Sequence, residues 1–150
     1  MKIKKVLLLL VICNSLNLFS QKDSIVNYLD RWYRNTTKKE HTKYIETKVK
    51  KDTVWRISIY YRDGKILSKG FSKINSREEY INKYVSYHRN GKLAKKSFYN
   101  SKGELHGKIV TLFDNGKRNH TGSYVKGDPV GLWKYYRYNG KLAAKFYHDK

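Results

Sequence analysis

Gly107-Lys-Ile-Val-Thr-Leu-Phe-Asp-Asn-Gly116-Lys117 and Gly131-Leu-Trp-Lys-Tyr-Tyr-Arg-Tyr-Asn-Gly140-Lys141 are two versions of one phrase, offset throughout by 24 residues. Each is an apolar or aromatic run closed by Asn-Gly-Lys. Both central positions of a type I′ hairpin turn need φ > 0, which Asn and Gly tolerate best, so the phrase predicts a two-residue turn at each Asn-Gly. A second landmark travels at the same offset: Gly103-Glu-Leu-His-Gly107 and Gly127-Asp-Pro-Val-Gly131, read as the turn between hairpins.

Worked outward, the turn signal recurs at Asn90-Gly91-Lys92 and, altered, at Asp63-Gly64-Lys65. The turn glycines are Gly64, Gly91, Gly116 and Gly140, separated by 27, 25 and 24 residues. Seven residues before each stands Ile57, Tyr84, Ile109 or Trp133; four before stands Tyr60, Tyr87, Leu112 or Tyr136. The two positions differ by an odd offset, so they face opposite sides of a strand. A hairpin recurring at this period predicts a β repeat array in which each unit needs its neighbours to bury a face.

Upstream, His41 to Ser72 keeps a period of two. Trp55, Ile57, Ile59 and Tyr61 alternate with Arg56, Ser58 and Tyr60, which predicts a three-stranded meander through Lys50-Lys51-Asp52 and Asp63-Gly64. Ile74 to Lys83 reads as an irregular connection, where Ser76 and Glu79 have capping-box spacing for one helical turn. Asp23 to Arg34 reads as a short amphipathic helix, with Ile25, Leu29, Trp32 and Tyr33 on one face and Asp23 or Ser24 as its cap. The chain thus divides into a leader at 1–20, a helix and linker at 21–40, and a repeat domain at 41–150. The fold class is mainly β, an antiparallel β-hairpin meander with a short N-terminal helix.

Tyr124-Val-Lys-Gly127-Asp-Pro-Val-Gly131-Leu-Trp133-Lys-Tyr135-Tyr136, followed by Asn139-Gly140-Lys141-Leu142, resembles the MORN repeat in its bacterial variant form. The best-matching units run from Tyr84 to Tyr147, with a weaker one at Trp55 to Phe71. Ile109 stands where the pattern has tryptophan, and Asn82 where it has glycine. The resemblance implies an elongated, twisted sheet of hairpins used as an interaction scaffold. Such repeats are associated with membrane phospholipids and protein partners and accompany catalytic domains without being catalytic. Members of the variant group often carry an antitoxin-like label, so toxin neutralisation by direct binding is the alternative function.

The N-terminus carries an address. Met1 to Lys5 is basic, Val6 to Ile12 is an unbroken apolar run too short to span a bilayer, and Asn14 to Ser20 leads to a cut before Gln21. Leu10-Val11-Ile12-Cys13 resembles a lipobox, but the residue before the cysteine is bulky, which favours soluble export over lipidation. Cleavage after Ser20 removes Cys13, the chain's one cysteine, and with it any thiol chemistry. The chain has 33 basic and 12 acidic residues; loss of Lys2, Lys4 and Lys5 leaves a net charge near +18. Such a surface attracts polyanions, and export leaves those of the envelope, lipid or glycan, rather than nucleic acid. Along the chain the lysines are dispersed, which also fits a solubilising role and protection of strand edges.

No catalytic constellation emerges. His41, His88, His106, His120 and His148 are scattered without ligand spacing, so no metal or cofactor is expected. Asp52, Asp63, Asp114 and Asp128 fall in turns, Glu78-Glu79 reads as a solvated turn, and there is no nucleophile elbow or phosphate loop. The expected function is that of an exported, non-enzymatic binding or scaffold protein contacting a protein or an anionic surface. Tyr87, Trp133, Tyr135, Tyr136 and Tyr138 are the candidate contact residues; Gly64, Gly91, Gly107, Gly116, Gly131 and Gly140 are candidate turn residues. Edge strands offer a route to self-association.

Overall fold

In the computed structural model, which describes residues 24–149, each strand pairs antiparallel with the strand before it in sequence. The strands are β1 (Ser24–Leu29), β2 (Tyr44–Lys51), β3 (Val54–Tyr61), β4 (Ile66–Ser72), β5 (Tyr80–Tyr87), β6 (Leu93–Tyr99), β7 (Gly107–Leu112), β8 (Arg118–Val125), β9 (Asp128–Tyr136) and β10 (Leu142–His148). They form one ten-stranded sheet in sequence order. The leader read at 1–20 lies outside the described residues.

The N-terminal helix is not formed: Ser24–Leu29 is an edge strand, and the described residues contain no α-helix, only a 3-10 turn at Lys39–His41. Two periodicities competed in this segment. Ile25, Asn27 and Leu29 alternate with Val26 and Tyr28, and β-branched Ile25 and Val26 favour a strand. A helix this short is marginal alone, whereas β2 offers it a full ladder, from Ser24 opposite Val49 to Leu29 opposite Tyr44. Trp32 and Tyr33, counted in the helical stripe, lie past the strand. There the Asp30 carboxylate accepts the Trp32 and Arg34 backbone N–H groups and turns the chain.

The connection after β4 also differs from expectation. The Ser76 hydroxyl accepts the Glu78 N–H at 3.1 Å, which makes a local turn instead of a capping box, and β5 begins at Tyr80. Asn82 has φ 57, alongside Gly107 at 98 and Gly131 at 65. Asparagine is the residue other than glycine that visits the left-handed region most readily, which explains its place in the repeat. Gly107 opens β7 and Gly131 lies inside β9, so neither is in a turn between hairpins. The inter-hairpin turns use Gly103 and Gly127 instead: the Gly103 N–H donates to Asn100, and Lys126-Gly127, both at positive φ, join Val125 to its partner Asp128.

The Asn-Gly turns are three-residue loops, not type I′ pairs. In each, one N–H closes a β-turn (Gly64 to Tyr61, Gly91 to His88, Gly116 to Phe113, Gly140 to Arg137), and the glycine alone takes positive φ. This is the type I turn followed by a G1 bulge. One left-handed residue strains the chain less than two. It also lets the preceding side chain work: the Oδ1 atoms of Asp63, Asn90, Asn115 and Asn139 accept the N–H of Lys65, Lys92, Lys117 and Lys141 at 2.9–3.2 Å. Successive turns are stitched together. Asn90 Nδ2 donates to the Asp114 carbonyl and Asn115 Nδ2 to that of Tyr138, while Lys92 and Lys117 Nζ reach the carbonyls of Asn115 and Asn139.

Among the described residues no second layer covers this sheet, so its packing is within each face. The turns fix the register that allows it: Ile57 faces Gly70, Tyr84 faces Ser97, Ile109 faces Gly122 and Trp133 faces Phe146. In the first three pairs a large residue lies opposite a small one, and Trp133 covers Gly122 on the other side, on β8. Ile57, Ile59, Ile109 and Trp133 are buried on this face, and Ile81 and Val85 on the other. A Cβ on Gly122 would sit 2.2 Å from the Trp133 ring, and one on Gly70 2.6 Å from Tyr80. Gly122→Ala is expected to destabilise the sheet by about 2–3 kcal/mol through overpacking. Urea unfolding checks this, and adding Trp133→Leu should recover part of the loss, since the two sites share one contact.

Candidate functional site

The two faces of the sheet differ in chemistry. Aromatic side chains cluster on the tryptophan face, at β5–β6 and around Trp133. Tyr80, Tyr84 and Tyr99 meet with centroids 4.7–6.4 Å apart. Trp133 is ringed by His120, Tyr124, Tyr135 and His148 at 5.1–6.3 Å. Burial pushes the Tyr80 phenol above its ordinary range, with Tyr84 adding to the shift, so it stays neutral. His120 is held below 6.5 by burial and by Lys95, and its Nδ1 lies 2.8 Å from Thr111 Oγ1. The indole N–H of Trp133 and the hydroxyl of Ser97 are buried without partners.

At the N-terminal end of this face lies a feature that sequence reading missed. Glu46 is fully buried. Its carboxylate accepts from Asn27 Nδ2 at 2.8 Å and pairs with Arg77 at 3.2 Å and Lys48 at 3.3 Å. Arg77 also donates to the Tyr33 carbonyl, and Lys48 to that of Asn75. One carboxylate thereby ties the segment after β1 and the loop before β5 to β2. Tyr33 has φ 63, uncommon for a bulky residue, and its ring stacks on Tyr44 at 4.5 Å. Burial, with Tyr44 beside it, pushes the Tyr33 phenol up to about 12. Exposed Trp32 lies nearby, with Arg31 and Arg34 guanidinium groups 3.8 and 4.6 Å from its ring. The signal in sequence was a single glutamate inside an otherwise uncharged-to-basic strand, which alternation alone cannot mark as buried.

The opposite face is organised by charge. The register runs Thr47, Ser58, Lys69, Val85, Lys96, Val110, Thr121, Lys134, Lys145, each residue directly opposite the next. Four lysines therefore stand in one file across the strands. Arg56, Lys83 and Lys108 flank the file on the same face, as their pairing and two-residue spacing require. Among the described residues none of these seven cations pairs with a carboxylate. Among the described residues, the one acid that a strand places on this face is Asp128, at the turn that opens β9. Lys69 Nζ lies 5.9 Å from the Tyr87 ring and Lys96 Nζ 5.4 Å from that of Phe98. Four of the lysines that look dispersed along the chain are gathered by register into a stripe.

The candidate contact residues are split between these faces. Tyr87 and Tyr136 stand on the lysine face, two residues from Val85 and Lys134. Trp133 and Tyr135 are on the tryptophan face, where Trp133 is 4% exposed and occupied by Gly122. Tyr138 belongs to the turn edge, its hydroxyl donating to Asp114 at 2.7 Å. The five residues do not form one patch. Among the described residues no group of three or more His, Cys, Asp or Glu could hold a metal ion.

Residues 80–101 and 129–150 match the family described as MORN repeat variant. Those two stretches are similar to MORN-variant repeats. The matches fall on the β5–β6 and β9–β10 hairpins; the β7–β8 hairpin between them has the same turn geometry with Ile109 in place of the large aromatic. No curated protein matches the chain. Among solved structures it is similar to a mutant of S. aureus TarM in complex with Fondaparinux, alpha-GlcNAc-glycerol and UDP, at 19% identity and a TM-score of 0.43. That match covers 83% of this chain and 23% of the other.

Two outcomes are expected from the tryptophan face. Glu46→Gln leaves Arg77 and Lys48 without a counter-charge and should cost about 2–3 kcal/mol in urea unfolding, less than a fully buried pair because Arg77 is partly solvated. His120 has a lower pKa folded than unfolded, so the unfolded chain binds more protons between the two values. Stability should fall as pH drops below 6.5 through the folded value, and His120→Gln should flatten that part of a urea-midpoint profile.

Proposed function

We propose that this chain is an exported, non-enzymatic binding protein of the bacterial cell envelope whose contact surface is the lysine face of the repeat sheet. The observation that carries the reading is the file Lys69, Lys96, Lys134 and Lys145, flanked by three further cations and, among the described residues, free of paired carboxylates. A stripe of one sign concentrates anionic partners and speeds their arrival, and Tyr87, Phe98 and Tyr136 beside it supply flat apolar area for anchoring. The opposite face supports the assignment by contrast, because Tyr80, Tyr84 and Trp133 there are taken up in covering Gly70 and Gly122. The leader pattern at 1–20 supports export and puts the partner among envelope components.

Two measurements test this reading. The mature protein should begin at Gln21 in an exported fraction; a cytoplasmic product with Met1 intact would remove the export reading. Lys69→Glu, Lys96→Glu and Lys134→Glu together should abolish sedimentation with isolated envelopes at low salt while leaving the unfolding midpoint near that of the parent. Undiminished sedimentation of that variant would remove the lysine face as the contact surface.

A further inference from the structure

We infer that the lysine face binds a flexible linear polyanion laid across the strands, along Lys69, Lys96, Lys134 and Lys145, and that Thr121 is a gap in this file. The inference rests on the lysine face being the contact surface, and adds the shape and chemistry of what it contacts. Lys69, Lys96, Thr121 and Lys145 each stand five residues after a turn glycine, on β4, β6, β8 and β10. The repeat thus places one cation per hairpin, at about 10 Å intervals given strand spacing near 4.8 Å. Lys134 on β9, directly opposite Thr121 on one side and Lys145 on the other, stands next to the missing charge.

Three features favour a linear chain of anions over a flat anionic surface. The first is direction: the file runs perpendicular to the strands, along the length of the array, for roughly 30 Å from β4 to β10 at that strand spacing. The second is twist. Adjacent strands rotate by about 20°, so six steps turn the file through roughly 120°. A planar bilayer meets only part of such a file, whereas a flexible polymer can follow it. The third is residue type. All four members are lysine, a point charge on a flexible stem with no bidentate geometry, which suits anions of variable position better than one fixed headgroup. The backbone polar groups of the interior strands are committed to the ladder, so recognition falls to these side chains and the ligand is defined by charge spacing.

Long-chain inorganic polyphosphate is the probe, with sodium alginate as a carboxylate polymer and vesicles rich in phosphatidylglycerol as the planar alternative. Polyphosphate affinity should fall with salt at a log–log slope of about −3, from four contacts at about 0.7 each. Lys69→Ala, Lys96→Ala and Lys134→Ala together should flatten that slope by about 2, while Lys38→Ala, Lys39→Ala and Lys102→Ala, an equal loss of charge outside the sheet faces, should change it by less than about 0.7. Thr121→Lys should steepen it by about 0.7, a gain that no folding defect can mimic. Alginate binding with the same stripe dependence extends the ligand class from phosphate to carboxylate chains and also supports the inference. Equal losses from the stripe and control variants, or no gain from Thr121→Lys, would overturn it. Stripe-dependent binding to vesicles without binding to either polymer would overturn the linear ligand and leave the lysine face standing as the contact surface; no binding to any of the three removes both.

Discussion

Trp133 lies over Gly122, and Tyr80 and Tyr84 close over Gly70, in a sheet that no second layer covers among the described residues. In a sandwich, a second sheet buries the apolar face. Here the same service is performed within the face, by a wide side chain on one strand lying across a position with no side chain on the next. The arrangement works only in one register. A one-residue slip would exchange the two faces, placing Lys134 where Trp133 now lies. The three-residue turns, each closed by a backbone hydrogen bond and an Asx contact, hold that register.

Register also explains why the lysine file exists at all. Lys96 and Lys134 have 37 residues between them in sequence, and no window along the chain contains both as a cluster. Counting from the turn glycines would have aligned Lys69, Lys96 and Lys145, but the bulges beside Tyr87, Leu112 and Leu142 had to be known before pairing could be assigned. The repeat and its turn glycines, by contrast, were legible because backbone conformation at φ > 0 restricts residue type locally. Asn82 was legible on the same ground.

The first hairpin follows other rules. Its strand β1 was misread as a helix because six residues give too short a window to separate a period of two from one of 3.6, and the aromatic pair Trp32-Tyr33 extended the helical count. What decides the matter is β2 as a template and Glu46 as a lock. A buried carboxylate is costly unless its charge is met, and the groups that meet it come from β1, β2 and the loop before β5. Those groups are far apart in sequence, so no local pattern could have signalled the lock. Once formed, it holds Tyr33 in a strained backbone conformation against Tyr44 and sets where Trp32 emerges.

The spacing of the file bears on why it is tolerated. Between Lys69 and Lys96 stands Val85, and between Lys96 and Lys134 stand Val110 and Thr121. Each gap is at least two strands, comparable to or longer than the screening distance of about 8 Å at physiological salt. Mutual repulsion along the file is therefore largely screened in the free protein. Lys134 and Lys145 break this rule, because they are directly opposed on neighbouring strands, where like charges destabilise the pair. Neither has a carboxylate within reach among the described residues, and packing does not require a cation at an exposed site such as Lys145. A like-charge pair without a structural counterpart is what an anion bridging two ammonium groups would relieve, and it lies at the end of the file where the next charge is missing on β8.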